Sequence, residues 1–83
     1  MEVRYSKSAL AALRRSDKRK LIREKIDALA EDPSSMNVNV TKLRGRSEYR
    51  LRVQNWRVVF RIEDDILIVD DIAPRGAVYE VKL

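Results

Sequence analysis

Residues 47–53 (SEYRLRV) and 56–62 (WRVVFRI) each alternate polar and apolar side chains, with only Gln54 and Asn55 between them. Alternation is the period of a strand, and a two-residue break is the length of a hairpin turn, with Asn55 suited to positive φ. A hairpin of that length has one register. Val53 faces Trp56, Arg52 faces Arg57, Leu51 faces Val58 and Tyr49 faces Phe60. Any fold of this chain must give Leu51, Val53, Trp56, Val58, Phe60 and Ile62 something to pack on, and must leave Arg50, Arg52, Arg57 and Arg61 on the other side. Arg52 and Arg57 then stand opposite one another at about 5 Å between Cβ atoms, and like charges so placed destabilise a sheet. Glu48 is the one acid close by, placed to relieve Arg61.

The packing partner lies upstream. Residues 2–5 (EVRY) alternate and read as a short strand. Ser6 or Ser8 caps a helix with Ala9, Leu10 and Leu13 on one face, ending near Arg15. Ser16 or Asp17 caps a second, in which Leu21, Ile22, Ile26, Leu29 and Ala30 recur at helical spacing until Pro33 stops it. The tight connection suggests an antiparallel helical hairpin. Residues 34–41 form a loop or irregular edge, and Asp64-Asp65 a turn. Residues 66–73 (ILIVDDIA) begin almost wholly apolar, as a central strand covered on both faces would. Pro74-Arg75-Gly76 breaks the chain, and residues 77–82 (AVYEVK) read as a last strand. The expected class is α+β, with an N-terminal strand and a two-helix hairpin packed on one face of a small antiparallel sheet. One domain spans residues 1–83.

Composition removes whole classes of chemistry. The 83 residues include no Cys and no His, so a disulfide scaffold, a thiol nucleophile, a histidine base and a Ser-His-Asp triad are all excluded. A zinc site is not expected, nor any other metal or cofactor. No apolar run approaches the roughly 18 residues of a membrane span, and the N-terminus lacks the apolar stretch of a signal peptide, so a cytoplasmic protein with no membrane partner is expected.

The net charge of +5 is unevenly placed. Residues 42–61 hold Lys42, Arg44, Arg46, Arg50, Arg52, Arg57 and Arg61 against Glu48 alone, while residues 62–83 are net acidic. Such a concentration is the footprint of a polyanion partner. Four of those arginines share one face of two adjacent strands, and the planar guanidinium fork suits phosphate oxygens. Arg75 falls at a sheet edge or mouth, Tyr79 in the last strand could stack on a base, and the phase of Trp56 puts it in the core.

With those residues in view, the sequence resembles the RelE/ParE superfamily of bacterial type II toxins. The likeness is carried by Lys42-Leu43-Arg44-Gly45, Tyr49-Arg50-Leu51-Arg52-Val53, Asn55-Trp56-Arg57-Val58-Val59-Phe60, Arg75-Gly76 and Val78-Tyr79, in that order. It implies the RelE-like microbial RNase toxin fold and, in the RelE branch, a ribosome-dependent endoribonuclease that cleaves mRNA in the A site and inhibits translation. It implies that Arg50, Arg52, Arg57, Arg75 and Tyr79 occupy the catalytic positions, with Lys42, Arg44, Arg46 and Arg61 as further RNA-binding cations. Arginine holds its proton too firmly to serve as a general base, so its part is electrostatic. Pro74 stands where many relatives have His. The implied partners are a cognate antitoxin with an acidic segment, the ribosome and mRNA, and operator DNA reached through the toxin–antitoxin complex. The alternatives are a ParE-like inhibitor of DNA gyrase and a non-catalytic nucleic-acid or antitoxin-binding module of the same fold.

Overall fold

The computed structural model of the chain describes residues 1–36 and 39–74. In chain order these form β1 (Glu2–Tyr5), α1 (Lys7–Arg15), α2 (Arg19–Glu31), a 3-10 turn (Pro33–Met36), β2 (Val40–Lys42), β3 (Tyr49–Val53), β4 (Trp56–Glu63) and β5 (Ile66–Pro74). The strands make one five-stranded sheet in the order β1-β5-β4-β3-β2. The expected last strand, residues 77–82, lies outside the described residues, as do Arg75 and Tyr79.

The hairpin has the register its turn length dictates: Val53 opposite Trp56, Arg52 opposite Arg57, Tyr49 opposite Phe60. Positive φ falls on Gln54 (53°) rather than on Asn55. The Asp64-Asp65 turn takes positive φ at both residues, 52° and 64°, the backbone that matches the twist of flanking strands. Val40 and Thr41, at the end of the expected loop or irregular edge of residues 34–41, join Lys42 in β2, a short antiparallel edge strand with Thr41 opposite Arg50.

The class is α+β, and the sheet is mixed. β1 runs parallel to β5, Glu2 beside Ile66 and Tyr5 beside Val69. A parallel neighbour needs a crossover, and the two helices supply it. They cover one face of the sheet. Ile22, Ile26 and Leu29 of α2 and Ala9 and Leu13 of α1 bury against Leu51, Val58, Phe60, Leu67, Val69 and Ile72. Each fully buried aliphatic side chain contributes about 1.5–3 kcal/mol. Trp56 is half-buried and packs against this cluster, as its phase requires.

Ser6 joins the first helix to the sheet. Its Oγ accepts from the Ala9 N–H at 3.0 Å, capping α1, and donates to the Asp70 carbonyl at 2.8 Å. Its own N–H donates to the Val69 carbonyl at 2.9 Å. Ser16 is 1% exposed, and its Oγ accepts from the Lys18 N–H at 3.0 Å. Ser16 stands two residues before Lys18, the cap position of α2, which itself makes no side-chain bond.

The segment carrying the two acids is irregular for a reason. Val59 pairs with Asp71 and Phe60 with Val69, so Asp70 is the extra residue of a β-bulge. Regular alternation would send either Asp70 or Asp71 into the helix-side core. The bulge lets Val69 and Ile72 both enter that core, at 0% and 2% exposed, while neither carboxylate does.

Candidate nucleic-acid interface

The face away from the helices carries Arg50 and Arg52 of β3 and Arg57, Val59 and Arg61 of β4, because their pairing partners alternate with the core residues. Val59 is 3% exposed yet stands outside the helix-side cluster, which agrees with that placement. One end of the face is open. Arg52 is exposed, Arg50 half-buried, and together with Asn39 and Thr41 they line a recess of ≈ 180 Å³. The Asn39 carbonyl accepts from the Arg52 N–H at 3.0 Å, which fixes the backbone there. Two guanidinium groups, a hydroxyl and an amide around a recess of that size can hold a phosphate group. Sequence reasoning missed Thr41 and Asn39. The signal was pairing of residues 40–42 with β3, which the run of Ser, Asn and Val before it obscured.

Two expectations are corrected and a third is refined. Arg57 stands on the expected face but is only 5% exposed. It lies on the middle strand, with Arg52 to one side and the small Ala73 to the other, where a long side chain is more enclosed than on β3. Arg61, expected against Glu48, pairs instead with Glu63 at 2.7 Å and Asp70 at 3.1 Å. The bulge brings Asp70 within reach, and Glu48 is taken by Arg46. Lys42, grouped with the other cations, belongs to the helix side: it is paired with Tyr49, its Nζ lies 5.9 Å from that ring's centre, and it donates to the Arg46 carbonyl at 2.9 Å. Arg44 is exposed in the loop between β2 and β3.

The far end of the face is therefore an ionic network, Arg46–Glu48 beside Asp70–Arg61–Glu63. Burial pushes the Asp70 carboxyl up, the neighbouring Glu48 carboxyl raises it further, and Arg61 pulls it down. The rise prevails chiefly because burial strips water from the ionised carboxyl, with Glu48 adding to it. Of the nine residues singled out as a site, the structure thus gathers Arg50, Arg52 and Arg57, sets Arg61 and Arg46 in ion pairs, and puts Lys42 on the other side.

The likeness to known proteins agrees with this architecture. A family model, the ParE toxin of the type II toxin-antitoxin system parDE, matches residues 3–79. The chain is similar to the toxin-antitoxin structure of the archaeal RelE–RelB complex from Pyrococcus horikoshii OT3, with a TM-score of 0.76 and 26% identity over 92% of this chain and 96% of that one. It is similar to the isolated E. coli RelE toxin, TM-score 0.73 and 23% identity over 98% and 93%. The intact E. coli RelBE toxin-antitoxin complex gives 0.71 and 22% over 90% and 95%. Against curated protein sequences the chain has no match.

Proposed function

Since the chain belongs to the ParE toxin family of type II toxin-antitoxin systems, in the RelE/ParE superfamily, we propose that it arrests translation by cutting mRNA in the ribosomal A site, and that a cognate antitoxin silences it. One observation carries this reading: Arg50 and Arg52 on β3 line a recess that Thr41 and Asn39 complete, and Arg57 stands across the hairpin from Arg52. In the reaction, a ribose 2′-hydroxyl attacks the adjacent phosphate, and the bond to the 5′ oxygen of the next nucleotide breaks. The products are a cyclic or 3′ phosphate and a 5′-hydroxyl. Negative charge grows on the phosphate oxygens, where fixed guanidinium groups stabilise it. Arg50 and Arg52 clamp the phosphate. Arg57 acts from within the face, where a charge less screened by water has greater effect. Arg75 assists the leaving oxygen and Tyr79 stacks on a base. The ribosome holds the strand in line and supplies much of the rate by positioning.

The antitoxin proposal is supported by the neighbours solved as RelE–RelB and RelBE complexes. An acidic antitoxin segment meets the arginine end of the face, so affinity falls as salt rises. The pair contacts operator DNA through the complex, and the work is done in the cytoplasm, where transcripts are translated.

A second reading, inhibition of DNA gyrase without cleavage, is favoured by the family description, which names ParE. Two assays separate them. In a translating extract, the nuclease yields new mRNA 5′ ends at fixed codon positions within minutes. Intact mRNA together with loss of gyrase supercoiling activity overturns the nuclease in favour of the second reading.

A further inference from the structure

The recess beside β2 brings together two kinds of group, and the phosphate clamp uses only one of them. Thr41 stands directly opposite Arg50 in the β2–β3 pair. Residues so placed on one face hold their Cβ atoms about 4.5–5.5 Å apart. Asn39 stands beside Arg52, whose N–H donates to the Asn39 carbonyl at 3.0 Å. All four residues line the recess. Each arginine thus has a neutral polar neighbour, and both neutral side chains are exposed, within reach of a ligand.

The two kinds of group differ in what they can accept. A guanidinium is a donor only, whereas a hydroxyl and a side-chain amide both give and take hydrogen bonds. A phosphate asks only for donors. A ribose 2′-hydroxyl also has a proton to give, and neither Arg50 nor Arg52 can take it. The side-chain acceptors around the recess are the Thr41 hydroxyl and the Asn39 amide oxygen. The carboxylates of this part of the sheet are placed elsewhere. Glu48 is bound to Arg46 and Asp70 to Arg61. Asp71 lies two strands from Arg50, past Val59, about 9–10 Å across the sheet. Its Oδ1 accepts from the Ile72 N–H at 2.9 Å.

Covalent structure links the two needs. In RNA the 2′-hydroxyl sits on the carbon next to the one that bears the 3′-phosphate. A strand whose phosphate is gripped by Arg50 and Arg52 carries that hydroxyl into the same recess, one side chain away from Thr41 and Asn39.

We infer that Thr41 and Asn39 read the sugar: the Thr41 hydroxyl, with the Asn39 amide beside it, accepts a hydrogen bond from the 2′-hydroxyl next to the clamped phosphate and makes the face selective for RNA over DNA. The inference rests on the mRNA-cleaving reading and names the feature of the substrate that its site selects.

The test is equilibrium binding of the full chain to short fluorescent single strands of one sequence: RNA, DNA, and RNA carrying fluorine at each 2′ position, which has no proton to give there. Wild type binds the RNA tightest, and the 2′-fluoro strand falls to the level of DNA. Thr41→Val exchanges the hydroxyl for a methyl in an equally branched side chain. It lowers affinity for RNA about three- to tenfold and for DNA less than about twofold. Thr41→Ser, which keeps a hydroxyl, restores the RNA preference. Asn39→Ala leaves the main-chain bond to Arg52 in place and gives a smaller loss of the same kind. Circular dichroism checks the fold, and Thr41→Ala replaces Thr41→Val should the latter fail it. No variant changes charge, so the salt slope stays that of wild type.

Equal losses for RNA and DNA would show that the hydroxyl serves the phosphate, and overturn the inference. So would an RNA preference that survives both substitutions, or a wild type that does not tell the strands apart. An mRNA-cleavage assay on ribosomes with the same proteins keeps the two readings distinct. If wild type cleaves and the folded variants keep the RNA preference, the sugar contact falls and the nuclease stands. If wild type leaves mRNA whole while Thr41→Val loses the preference, the nuclease falls and the contact stands.

Discussion

The two ends of the arginine face carry the same residue type on neighbouring strands and come to opposite outcomes. At the Arg52 end, Thr41 of β2 and Asn39 just before it are neutral groups that shape a recess with Arg50 and Arg52. At the Arg61 end, β5 supplies Asp70, and Glu63 follows from the end of β4, so that guanidinium is held by two carboxylates. The difference lies in the adjacent strand rather than in the arginines. Alternation tells which face a side chain takes; only the sheet order tells what waits there for it.

The sharpest way to break the contrast is to truncate one arginine at each end. Arg52→Ala should lower mRNA cleavage in a translating extract about 10²–10³-fold, the loss typical when one fixed donor to a developing oxyanion is removed. Arg61→Ala should change it only a few fold. Equal losses, read as initial rates of 5′-end formation, would show that both ends belong to one site.

A second cut falls on the support of the closed end. Ser6→Ala removes the α1 cap and the bond to the bulge carbonyl together. Urea unfolding should show a loss of about 1–2 kcal/mol. A loss under a few tenths would mean that the bulge holds its shape without that tie.

The smallest effect is a pH dependence. The Asp70 carboxyl titrates above its ordinary value, chiefly through burial. A raised carboxyl favours the folded state when protonated, so its contribution is fully present in acid and is lost as pH climbs through its folded value. Asp70→Asn should therefore close part of the gap in unfolding free energy between pH 7 and pH 4, with the variant relatively more stable at pH 7. A wild-type-like pH profile would show that the Arg61 pair, not burial and Glu48, governs Asp70.

Much of this was legible from local pattern. The hairpin register followed from a turn of two residues, the first helix from Ser6 and the spacing of Ala9 and Leu13, and the end of the second from Pro33, since α2 closes at Glu31. The failures are non-local. Nothing near residues 2–5 shows that β1 will lie parallel to β5. The bulge that frees Asp70 is decided by what Val69 and Ile72 gain in the core, and it took Arg61 away from Glu48. Arg57 had the right face, but its burial depends on its position in the middle of the sheet. Lys42 was read for its charge when its pairing with Tyr49 decides where it points.

The parallel edge also has a consequence for how the molecule comes into being. Ser6 and Asp70 stand 64 residues apart in sequence and are bonded in the sheet. While the chain is being made, the opening strand waits without its neighbour until almost everything described here has been synthesised. Closure over so long a loop is slow to nucleate. The opening strand can take its place only once the last described strand has left the exit of synthesis, so the completed sheet, with its arginine side, is among the final things the growing polypeptide acquires.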